Sequence, residues 1–73
     1  MILTARQSDV LDYLRAFARD NGYPPTVREI GARFGITPNA TRGHLKALER
    51  KGRIARTPIK SRGIRIIEEV HQE

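Results

Sequence analysis

Three stretches, each opened by a threonine and closed by a glycine, divide most of this chain: Thr4 to Gly22, Thr26 to Gly35 and Thr37 to Gly52. Each opening carries a further helix-start signal. Gln7 follows Thr4 by three residues and Glu29 follows Thr26 by three. In such a pair the hydroxyl accepts from the amide three residues on, while the longer side chain reaches back to the threonine amide. Thr37 precedes Pro38, whose fixed φ and missing N–H suit the first helical position. At the first stop, Asn21-Gly22 tolerates the left-handed conformation needed past a last turn, and Pro24-Pro25 blocks immediate resumption. The punctuation predicts three helices, the third running from Pro38 to about Lys51. The second, about eight residues long, is too short to persist alone and must be held by packing.

Periodicity agrees with the punctuation. Val10, Leu11, Leu14, Phe17 and Ala18 form a helical stripe, with Arg6, Asp9, Asp12, Arg15 and Arg19 largely off it. Val27, Ile30 and Phe34 face inward from the second helix, and Gly31 leaves room for close helix approach. In the third helix Thr41, Leu45 and Leu48 make the apolar side, with Ala40 and Ala47 adjacent. Its other side reads Asn39, Arg42, Gly43, Lys46 and Arg50. After Gly52 the period changes. Ile54 to Thr57 reads as extended, Pro58 sits at a strand end or edge, and Ser61-Arg62-Gly63 forms the return of a hairpin. Ile64-Arg65-Ile66 alternates as a half-buried strand should. The expected domain is residues 1–67, and the polar tail 68–73 frays.

Charge narrows the class of partner. Residues 1–36 balance five arginines against four acids, whereas residues 37–65 hold nine lysines and arginines against Glu49 alone. So concentrated an excess, within an overall charge of +6 on 73 residues, is self-repelling unless a polyanion uses it. The chain has no cysteine, which excludes a disulfide framework, a thiol nucleophile and a cysteine-ligated zinc. His44 and His71 are too few and too far apart for a metal site. No catalytic set or Gly-rich phosphate loop is present, so no enzyme, cofactor or small-molecule ligand is expected. No apolar run approaches the length of a membrane span and no leader opens the chain, which predicts a cytoplasmic protein. The four aromatics, Tyr13, Phe17, Tyr23 and Phe34, lack the interleaved stacking pattern of single-strand or RNA-binding sheets.

Two short helices joined by a glycine-containing turn, a basic outer face on the second and a hairpin directly after it describe a winged helix-turn-helix. The predicted fold is thus a three-helix bundle followed by a two-stranded antiparallel hairpin, mainly α. The stretches LTARQ at 3–7, GYPPTVREIG at 22–31, GHLKALERKG at 43–52 and SRGIRII at 61–67 occur in that order and resemble the N-terminal DNA-binding domain of the LexA family of bacterial SOS repressors. The resemblance implies a repressor domain for duplex DNA with a palindromic operator. Family members continue through a linker into a self-cleaving serine–lysine peptidase domain that also dimerises. No such residues lie before Glu73, so either a solo DNA-binding protein or the N-terminal part of a longer repressor is expected. Two departures fall where bases are read. The turn GITPNATRG is about one residue shorter than the family pattern, and Arg42-Gly43 stands where some members carry an acidic pair. The operator is therefore not carried over.

Within this plan Thr37, Asn39, Ala40, Thr41, Arg42, Gly43 and Lys46 are the candidates for base contact in the major groove. Asn39 has a second reading as a capping residue, Thr41 as a core residue, and Gly43 as a site of tight helix packing rather than close DNA approach. His44 reads as partly buried. Thr4, Gln7, Thr26 and Arg28 at the first two helix starts, Arg50 and Lys51 at the end of the third helix, and Lys60, Ser61 and Arg62 in the wing are the candidate phosphate ligands. No dimerisation helix is evident, which predicts at most weak pairing on DNA. The competing classes are a basic winged-helix module for RNA or the ribosome, and one for a protein partner.

Overall fold

Helix starts and stops fall where the threonines and glycines place them. The computed structural model describes residues 2–57, 60 and 62–67, with α1 at Ala5–Asn21, α2 at Val27–Phe34, α3 at Pro38–Arg50, β1 at Ile54–Arg56 and β2 at Ile64–Ile66. The strand-end position read for Pro58, the wing position of Ser61 and the frayed tail 68–73 lie outside the described residues. Thr4 Oγ1 accepts from the Gln7 amide at 3.1 Å and Gln7 Oε1 from the Thr4 amide at 3.1 Å. The same reciprocal pair joins Thr26 and Glu29, at 2.8 and 3.1 Å. Thr37 Oγ1 accepts from the Ala40 amide at 3.1 Å, with Pro38 at the first helical position. Each cap is worth about 1 kcal/mol of helix stability. At the end of α1, Gly22 takes φ 79° and its amide donates to the Ala18 carbonyl at 2.8 Å.

The core is built from one side of every element. Val10, Leu11 and Leu14 of α1, Ile30 of α2, Leu45 and Leu48 of α3, and Ile54 and Ile64 of the strands are buried together. Leu3, Tyr13, Val27, Phe34 and Ile66 pack around them. Thr41 belongs to this interior: it is fully buried, and its hydroxyl donates to the Thr37 carbonyl at 3.0 Å. The expectation that Thr41 reads a base is corrected here. Position 41 lies four residues before Leu45 on the same helix row, which turns it toward the core.

The corner between α2 and α3 is tight. A Cβ on Gly31 would stand 2.9 Å from the Ile36 carbonyl oxygen and 3.2 Å from Thr41 Oγ1, so the turn closes onto a position that admits no side chain. The hairpin is antiparallel, pairing Ile54 with Ile66, Ala55 with Arg65 and Arg56 with Ile64. Two three-residue strands are marginal alone, and burial of Ile54 and Ile64 fastens them to the helices. Because side chains alternate along a strand, Arg56 shares the inward face of Ile54 and opposes Ile64.

Candidate nucleic-acid interface

The outward row of α3 is continuous and polar. Asn39, Arg42, Gly43, Lys46 and Arg50 are all exposed, as are Thr37 and Ala40 at its start. Arg42 Nη1 donates to Asn39 Oδ1 at 3.2 Å. Asn39 therefore supports Arg42, while Thr37 provides the cap. Inspection of positions four residues from Arg42 overlooks this partner because it lies three residues away. A Cβ built on Gly43 would meet nothing within 4 Å, which removes helix packing as the reason for a glycine there. His44 is half-buried at the edge of the apolar side, as its place in the pattern indicated.

Beside this row opens a cleft of about 310 Å³ between the start of α2 and the hairpin. Thr26, Val27 and Arg28 form one wall, Thr57, Lys60 and Gly63 the other, with Arg42, Arg56 and Ile64 also lining it. Four cations, Arg28, Arg42, Arg56 and Lys60, border the space, and among the described residues no acid does. Among the described residues, Arg28, Arg56 and Lys60 form no ion pair with an acid. The α2 N-terminus adds its partial positive charge to the same cleft. This arrangement suits the non-bridging oxygens of a phosphodiester. Arg56 is absent from the residues expected from sequence. Its inward strand position aims a half-buried arginine at the cleft, and only the hairpin register reveals it.

Other candidate ligands are held elsewhere. Arg62 donates twice to the Glu29 carboxylate, at 2.9 and 3.0 Å, and once to the Pro24 carbonyl at 2.8 Å. Its guanidinium also lies 4.6 Å from the centre of the Tyr23 ring. The Arg62 hydrogen bonds, helped by the Thr26 amide, hold the Glu29 carboxyl below its ordinary pKa. In the unbound domain Arg62, expected as a phosphate ligand of the wing, is thus engaged internally. Lys51 Nζ donates to the Ile2 carbonyl at 3.0 Å and to Gln7 Oε1 at 2.6 Å, tying the end of α3 to the start of α1. Thr4, Gln7 and Lys51 are brought together by these bonds, but none of them lines the cleft. Arg50 stands exposed at the end of α3, and Ser61 lies outside the described residues.

Outside the cleft, Arg6 and Arg33 lie 5.1 and 5.3 Å from the centre of the Phe34 ring, and Tyr13 meets Phe34 edge-on. Basic residues there cover aromatic faces, and neither of them lines the cleft. Among the described residues no three His, Asp or Glu side chains gather as a metal site would require, and no helix is long and apolar enough to cross a membrane.

The sequence matches the LexA DNA binding domain family model over residues 1–63. It is 48% identical over 68 residues to a LexA repressor of Staphylococcus epidermidis, covering 92% of this chain and 33% of that protein. Against LexA repressors of Pseudomonas chlororaphis and Sorangium cellulosum the identities are 54% over 65 residues and 53% over 64 residues. Those matches cover 88% and 86% of this chain, and 32% and 28% of the respective proteins. The chain thus spans about a third of the length of the curated relatives it matches. The match takes in all three capped helices, β1 and every residue lining the basic cleft except Ile64, and the relatives' identity extends over most of the chain: the chain belongs to the LexA DNA-binding domain family.

Proposed function

We propose that this domain acts as a sequence-specific transcriptional repressor, laying the outward row of α3 in the major groove of duplex DNA while the neighbouring cleft receives the phosphate backbone. The observation that carries the reading is the convergence of Arg28, Arg42, Arg56 and Lys60 on one cleft bordering that row, with no acid lining it among the described residues. Asn39, Arg42 and Lys46 supply hydrogen-bonding groups toward base edges. Thr37 and Ala40 flank them, and Gly43 admits close approach of the helix backbone. With its amide oxygen held by Arg42, Asn39 presents its amide N–H groups, so the pair offers mainly donors. Acceptor-rich guanine edges are the matching partner. Thr26, Arg28, Arg56 and Lys60 hold phosphate in the cleft, and Arg50 does so beyond it.

Repression follows from occupancy, with no reaction of the domain's own. Two copies bind a two-fold operator, their α3 helices entering successive major grooves about one helical turn, roughly 34 Å, apart. The domain contacts the chromosome as a nucleoid-associated protein in the cytoplasm. Selection from a random duplex library, followed by sequencing, tests this: enrichment of a common half-site, repeated with two-fold symmetry, is expected. Equal affinity for the selected duplex and for RNA of the same sequence at about 150 mM salt, where exposed charges are screened beyond about 8 Å, would refute it.

A further inference from the structure

We propose that Arg62 and Glu29 form a latch that sets the width of the phosphate cleft, which makes both of them positioning residues for DNA binding; the inference rests on the DNA-binding reading above. The hairpin return joins two strands of only three residues each, and its backbone bonds, Thr57 to Gly63 at 2.7 Å among them, close it upon itself rather than onto α2. Arg62 fastens it across 33 residues of sequence. One guanidinium engages both oxygens of Glu29, the Pro24 carbonyl and the Tyr23 ring. Tyr23 is in turn braced edge-on by Phe17, 5.9 Å away. A bidentate arginine–carboxylate pair fixes direction as well as distance, unlike a lysine point charge.

The latch stands behind the cleft rather than in it: neither Arg62 nor Glu29 lines the cavity, but their chain neighbours do. Lys60 and Gly63 stand on either side of Arg62 along the hairpin wall, and Thr26 and Arg28 shortly precede Glu29 on the helix wall. The Glu29 carboxylate also accepts from the Thr26 amide, at 2.8 Å, so one side chain joins the α2 cap to the hairpin return. Loosening the pair frees the two walls to separate and scatters cations that must grip one phosphate together.

Electrostatics and positioning predict opposite signs at Glu29, which gives the test. Removing an acid beside a polyanion site tightens binding if charge alone matters. The latch requires that Glu29→Gln weaken it, although glutamine retains a cap acceptor for α2. Affinity for the selected duplex is measured by fluorescence anisotropy across a salt series for the unmodified domain, E29Q, R62Q, R62K and E29Q/R62Q, each checked for folding by its circular-dichroism melt. The expected result is a two- to fivefold loss, about the range an exposed pair transmits, in E29Q, R62Q and R62K alike, with the double variant no worse than either single glutamine variant. Tighter binding by E29Q, together with near-normal binding by R62K, would overturn the latch and return Arg62 to the phosphate ligands. Additive losses in the double variant would overturn it as well. Failure of the unmodified domain to bind the duplex in a salt-dependent way would instead overturn the DNA reading, and the latch with it.

Discussion

Replacing Gly43 with alanine separates what α3 needs for folding from what it needs for binding. Gly43 lies six residues into a thirteen-residue helix, and its φ is not among the positive values found at Gly22, Gly35 and Gly52. An alanine there adopts the same backbone without strain. The added methyl meets nothing within 4 Å, so no packing gain or clash accompanies it in the free domain. What remains is the propensity difference of about 0.8–1.0 kcal/mol in favour of alanine. For a domain of this length that raises the melting temperature by about 3–8 °C. On DNA, the proposed close approach puts the same methyl between the helix backbone and the groove. Overpacking of a fitted surface costs about 1–3 kcal/mol, which corresponds to a loss of at least about fivefold in affinity. Melts followed by circular dichroism, and anisotropy titrations on one duplex at one salt concentration, read both effects. A higher melting temperature with unchanged affinity would refute close backbone approach. An unchanged melting temperature would refute the description of Gly43 as an unencumbered helical position.

Gly31→Ala is expected to act oppositely on stability, lowering the melting temperature by the equivalent of about 1–3 kcal/mol, because its Cβ would press on the Ile36 carbonyl and Thr41 hydroxyl. Glu29 has a folded pKa below its unfolded value, so its contribution is present above the ordinary carboxylate range and is lost as pH falls through the folded value. Melts between pH 6 and 3 should show the unmodified domain losing its small advantage over E29Q only at the acid end; an advantage that grows with acid would contradict the pairing. Arg56→Gln should leave the melt within a few degrees of normal and make the salt dependence of DNA binding shallower by about 0.9 in log–log slope. An unaltered slope would remove Arg56 from the phosphate cleft.

Helix limits were legible because the signals that set them are local. Thr4 with Gln7, Thr26 with Glu29 and Thr37 with Pro38 each act within a span of three residues, and the structure forms all three caps. The outward row of α3 was legible for the same reason, since spacing alone puts Asn39, Arg42, Lys46 and Arg50 on one side. Thr41 marks the limit of that reasoning. A threonine suits either the reading face or the core, and its row partner Leu45 decides for the core. Contacts that depend on chain return could not be read locally. Arg62 looks like one more cation in a basic wing until Glu29, far away in sequence, is found against it. Arg56 looks like a solvated strand charge until register turns it inward. Composition located the positive field correctly, while partition of that field into phosphate ligands, aromatic covers and internal ties required the folded chain.

The central claim is that the cations of the cleft and of α3 engage one duplex together, the cleft on phosphates and α3 in the groove, and salt dependence measures this most directly. Four to six engaged cations among Arg28, Arg42, Lys46, Arg50, Arg56 and Lys60 predict that log affinity for the selected duplex falls with log salt at a slope between about −3.6 and −5.4 per domain. A slope near −1, or an equal slope after Arg28, Arg56 and Lys60 are all replaced by glutamine in a domain that still melts normally, would contradict the account.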